Sequence, residues 1–205
     1  FISNAAINGG AILVYGDSKV SWVGDGTEFV SNSASVEGGA VRTINNSTLT
    51  WNGNGTLFIS NSADISGGAL YVVSISPSSS PYIGGLFIEN HAGTGGAVFM
   101  SISHRVNFTD FVFESNWASE AGGAVAMYTS TYSSFNKCSF RNNTGENGGA
   151  VDTMLGGQEF NSCDFKNNSA GNGGALRIGG EAELRDCNIY ANYALLGPAV
   201  FVVGG

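Results

Sequence analysis

The apolar positions of the chain recur in two linked phrases, and no helical stripe can be traced between them. An aromatic-x-x-Asn tetrapeptide starts at Phe1, Phe29, Phe58, Phe87, Phe113, Phe140 and Phe165, with a weaker copy from Ile189 to Asn192. Eight or nine residues after each aromatic comes Gly-Gly-Ala-aliphatic, at Gly9, Gly38, Gly67, Gly95, Gly122, Gly148 and Gly173, and GPAV at Gly197 is the eighth copy. Copies follow one another at 24 to 29 residues, and the variation in length lies between each Gly-Gly phrase and the next aromatic. The residue after the Ala is always aliphatic: Ile12, Val41, Leu70, Val98, Val125, Val151, Leu176 or Val200. Two further on stand Val14, Thr43, Val72, Met100, Met127, Thr153, Ile178 and Val202, while the position between drifts through Leu13, Arg42, Tyr71, Phe99, Ala126, Asp152, Arg177 and Phe201. That period of two predicts a strand with one buried face and places the drifting column, Asp152 and Arg177 included, on the outside. The segments entering each aromatic, such as Phe135, Cys138 and Phe140, read as inward-facing in the same way. Recurrent Gly pairs and frequent β-branched residues weigh against helix.

A repeat of this length, with about three short strands and glycines at fixed corners, predicts an all-β fold: a right-handed parallel β-helix solenoid of about eight rungs, one domain over residues 1–205. Rungs ~4.8 Å apart give a rod roughly 38 Å long. Asn4, Asn32, Asn61, Asn90, Asn116, Asn143, Asn168 and Asn192 then stack at one corner, where amide side chains can form a hydrogen-bonded ladder. The Gly pairs mark a second corner that excludes a Cβ. Propeller blades repeat at longer periods, and the leucine-rich phrase is missing.

Composition narrows the function. Lys and Arg total 8 against 16 acidic residues, a formal net charge of −8, and no basic stripe forms, so a nucleic-acid partner is not expected. No apolar run reaches the ~18 residues of a membrane helix, so this segment is not expected to insert in a membrane. A chain that opens on Phe1 without a signal peptide reads as a processed or truncated end. The aliphatic close without a polar cap suggests a segment of a longer repeat array. Cys138, Cys163 and Cys187 each precede their copy's aromatic or Ile by two residues. They are expected to stack inward as small apolar filling, since side chains in register meet disulfide torsion poorly and three thiols leave one over. With His91 and His104 in earlier copies, no metal site is expected, nor any cofactor. No carboxylates cluster with a Lys, Arg or His as polysaccharide-active β-helices require, so no catalytic residues are assigned, and Asp152 with Arg177 reads as a surface ion pair. Six N-x-Ser/Thr sequons, at Asn45, Asn46, Asn54, Asn107, Asn142 and Asn167, are candidate glycosylation sites if the protein is secreted by a eukaryote. Immediately after each inward aromatic come Ile2, Val30, Ile59 and Ile88, then Glu114, Arg141, Lys166 and Tyr190. Half of this outward column is a β-branched stripe, either strand propensity or an assembly surface.

The paired phrases, FxxN and GGA followed by Ile, Leu or Val, resemble the repeat of the chlamydial polymorphic membrane proteins, whose passenger regions are surface-displayed β-helices acting in adhesion. Similar repeats occur in large extracellular proteins of protists and algae. The resemblance spans all eight copies, although the barrel of the bacterial family is not among these 205 residues. It implies a surface or secreted β-helix, and the missing catalytic cluster makes the expected role non-catalytic. The protein would be a structural shaft or fibre component with adhesive and assembly functions, partnered by other subunits or flanking segments, with glycan as a further candidate partner. An adhesin passenger of an autotransporter, binding a host receptor or glycan, is the alternative, and a polysaccharide-active enzyme the third.

Overall fold

In the computed structural model, which describes residues 1–23, 25–73, 80–102, 106–129 and 133–204, strands follow one another in parallel around a coil, with no helix among those residues. Three sheets run along the axis. The first carries the strands between the Asn corner and the Gly corner, from Ala5–Asn8 and Ser33–Glu37 through to Tyr193–Leu196. The second carries those after the Gly corner, from Ile12–Tyr15 and Val41–Ile44 to Val200–Val202. The third returns the chain to the next Asn corner through Lys19–Val23, Thr48–Ile59, Ser80–Ile88, Val106–Glu114 and their successors. It makes seven passes, so the eight sequence copies form seven complete turns and begin an eighth.

The register follows the repeat. Phe29 pairs with Phe58, Phe58 with Phe87, Phe87 with Phe113, and so on to Phe165 with Ile189. Consecutive rings from Phe1 to Phe165 lie 4.6–5.0 Å apart and within 4° of parallel. This is the strand spacing imposed on aromatic groups, which stack offset at such distances. A second interior column runs beside it through Trp22, Trp51, Tyr82, Phe108, Phe135 and Phe160, with centroids 4.0–5.2 Å apart. Phe113 meets Phe108 and Phe135 edge-on, which locks the two columns together.

Between these columns the third sheet kinks. Asp110, Lys137, Ser162 and Asp186 have φ of 51–59° and sit just before Phe111, Cys138, Cys163 and Cys187. One left-handed residue turns two side chains to the inside three positions apart, so the sequence here does not follow strict alternation and the later passes split into two strands, as at Ser133–Asn136 and Ser139–Arg141. Gly85 belongs to the same column and pairs with Phe111. A Cβ on Gly85 would lie 2.7 Å from the Phe111 ring, so the glycine supplies the room that the large neighbour occupies.

At the Gly corner the first glycine of every copy has φ between 60° and 70°. The second glycine, from Gly10 to Gly174, is constrained from above: a Cβ there would fall 1.9–2.3 Å from the backbone oxygen of the equivalent residue in the following turn.

Candidate functional site

The Asn corner is made by one left-handed residue, the third of each tetrapeptide. Ser3, Ser31, Ser60, Glu89, Ser115, Asn142, Asn167 and Ala191 all have φ of 52–57°. The following asparagines form a single column. From Asn4 to Asn168 each Nδ2 donates to the Oδ1 of the next asparagine, at 2.8–3.0 Å, ending on Asn192. That same Oδ1 accepts the backbone N–H of the preceding asparagine, as Asn90 Oδ1 does from Asn61 at 3.0 Å. The second Nδ2 hydrogen reaches back to a phenylalanine carbonyl one turn earlier, as from Asn90 to Phe58 O at 2.9 Å. Both donors and both acceptor positions of each buried amide are therefore used. The ladder satisfies the backbone where the left-handed corner interrupts the strand pairing, which is a structural role.

The outward column beside it is in register from end to end: Ile2 with Val30, Val30 with Ile59, Ile59 with Ile88, Ile88 with Glu114, then Arg141, Lys166 and Tyr190. Ile2 is 64% exposed, whereas Val30, Ile59 and Ile88 shield one another and are half-buried. The charged half is tied internally, with Arg141 donating to Glu114 at 2.8 Å and Lys166 Nζ 5.4 Å from the Tyr190 ring centre. Three residues further along the coil, His91 pairs with Trp117, whose indole is 48% exposed. Nothing in the repeat pattern marks Trp117, because it occupies a drifting outward position.

In the middle turns the drifting column of the second sheet is not the wet surface that alternation predicts, although Leu13 at its start is half-exposed. Asp152 and Ala126 are fully buried and Phe99 is 7% exposed, so the reading of Asp152 and Arg177 as a surface ion pair is corrected. The first and second sheets meet at the Gly corner, and side chains from the end of one close over the outer face of the other. Glu37 binds Arg42 and lies close to the Tyr71 hydroxyl, while Tyr128 approaches Thr94, whose hydroxyl lies 3.3 Å from Glu120. Burial, with the Glu37 charge behind it, pushes the Tyr71 hydroxyl up to about 12. Arg177 contacts Asp152 Oδ1 at 3.0 Å, and Oδ2 has no partner among the described residues. Desolvation outweighs the Arg177 charge and raises the Asp152 carboxyl to about 6.

Cys138 and Cys163 are buried, Cys187 is partly so, and all three are free thiols. Each Sγ–H donates to a backbone carbonyl of the turn before, Cys163 to Phe135 O and Cys187 to Phe160 O, both at 3.3 Å. Burial pushes the Cys138 thiol up, away from reactive thiolate character. Of the sequon asparagines, Asn45, Asn46, Asn142 and Asn167 are exposed at corners. Asn107 lies half-buried within a strand, its Oδ1 accepting from Ser134 at 2.9 Å. The Asn54 side chain and His104 lie outside the described residues.

With two aromatic columns, an amide ladder and paired Gly corners returning once per turn, the molecule belongs to the class of parallel β-solenoids. Two segments, residues 55–73 and 162–178, match the Chlamydia polymorphic membrane protein (Chlamydia_PMP) repeat. Both enclose one tetrapeptide and its Gly-Gly-Ala-aliphatic phrase, so the chain is similar to these proteins in its repeat, and its coil is consistent with a β-helix built from that repeat. No curated protein and no solved structure matches the chain.

Proposed function

We propose that the protein is a non-catalytic, surface-displayed β-helix segment serving as a shaft that assembles laterally with protein partners, either other subunits or flanking segments of a longer chain. The observation that carries this reading is the outward column Ile2, Val30, Ile59 and Ile88, a continuous aliphatic edge that turns charged halfway along. Covering apolar surface contributes about 25 cal/mol per Å². The matched repeat supports a surface location. An adhesin passenger that binds a receptor or glycan is the second reading, favoured by the half-exposed Trp117 beside His91.

Replacing Ile59 and Ile88 together with Glu decides between them. The shaft reading expects assembly to weaken, by sedimentation or light scattering, with the β-sheet circular dichroism retained. Assembly equal to the parent's would reduce the column to strand propensity and leave the adhesin reading in its place.

A further inference from the structure

The eighth copy replaces the second glycine of the corner with Pro198, and the coil geometry gives that substitution a direction. At all seven earlier corners the space a Cβ would need is filled from the C-terminal side. Gly39 would meet Gly68 O at 1.9 Å, Gly123 would meet Gly149 O at 2.1 Å, and Gly174 would meet Pro198 O at 2.3 Å. The backbone N–H of the second glycine also points that way, as Gly149 N donates to Gly173 O at 2.9 Å and Gly174 N to Gly197 O at 3.1 Å. The backbone around Pro198 keeps the common register, since Ala175 N and Leu176 N both donate to Ala199 O at 3.1 Å, as their counterparts do one turn earlier. The Pro198 ring therefore stands where the next turn's carbonyl would have to lie, and proline has no N–H to donate to it.

We propose that Pro198 closes the C-terminal face of the coil: regular Gly-Gly stacking stops at this turn, whatever sequence follows. The closure is one-sided. At the other end Gly10 meets only its own following turn, at Gly39 O, so nothing in this chain's corner obstructs a turn stacked before it. Growth of the array in this register is possible only toward the N-terminus, and a second copy cannot dock its first turn onto the last one here. Proline on an exposed sheet edge is a known guard against such pairing.

The test is a ninth turn. A copy of residues 179–202 is inserted directly after Val202 in the full chain, once with Pro198 and once with Pro198→Gly. Circular dichroism and thermal unfolding of the original eight copies serve as the folding control in each. With glycine the inserted turn docks and is cut by protease about tenfold or more slowly than with proline, because cleavage follows the open population. Equal susceptibility in the two backgrounds, whether both are protected or both are cut, overturns the proposal.

Discussion

Asn90 shows how much one side chain can hold at a left-handed corner. Its removal would strand three buried partners at once, the Asn61 backbone N–H, the Asn61 side-chain N–H and the Phe58 carbonyl. At about 1–3 kcal/mol for each unsatisfied group, Asn90→Ala should cost about 3 kcal/mol or more in urea unfolding. Asn90→Asp should give no rescue at neutral pH, because a carboxylate accepts from Asn61 but offers nothing to Phe58 O or Asn116 Oδ1. Loss of less than 1 kcal/mol in either variant would show that the ladder is decoration on an already satisfied backbone. Asp152 makes a different prediction. A carboxyl raised to about 6 when folded holds its proton more tightly than in the unfolded chain, so its contribution is complete below about pH 4 and is lost as pH rises through 6. The span amounts to about 3 kcal/mol at most. Stability measured from pH 4 to 7 should therefore move in favour of Asp152→Asn over the parent as pH rises, and parallel profiles would refute the assignment.

At the level of strands and corners, the pairing of Gly85 with Phe111 is the clearest case of neighbours chosen for each other. Gly85→Ala should destabilise through the clash with the Phe111 ring, and through backbone strain at φ 154°. In the Phe111→Cys background, which restores the small side chain found in later turns, the added cost should fall by 0.5 kcal/mol or more. Strict additivity in that cycle would place the strain in the backbone alone, against Thr56 O. The same columns show why some of this architecture is readable from sequence and some is not. The Asn ladder and the Gly corner stand at nearly constant offsets from the leading aromatic, so alignment of the copies finds them directly. The second aromatic column is legible only in its later copies, as at Phe135, because its offset changes: Trp22 and Trp51 precede their phenylalanines by seven residues, Tyr82, Phe108, Phe135 and Phe160 by five. Asp152 escapes for another reason. Alternation says which way a side chain points, and outward means exposed only on a convex surface; where two sheets meet at a corner, outward side chains can cover one another.

For the molecule as a whole, each turn touches only its neighbours, so stability accumulates turn by turn and the ends differ from the middle. The spacing of the copies, which shortens from 28 and 29 residues near the N-terminus to 25 and 24 near the C-terminus, leaves the stacked strands undisturbed because the difference is absorbed between each Gly corner and the next aromatic. Under tension this unevenness becomes a record. Peeling one turn releases roughly 80–100 Å of contour length, the shorter values belonging to the C-terminal turns. A single molecule pulled by its ends in an optical trap should extend in a staircase of such increments, and their order would report which end yields first. A single step spanning the entire coil would mean that the turns fail together, and that the aromatic and amide columns act as one continuous cable rather than as seven separate ties.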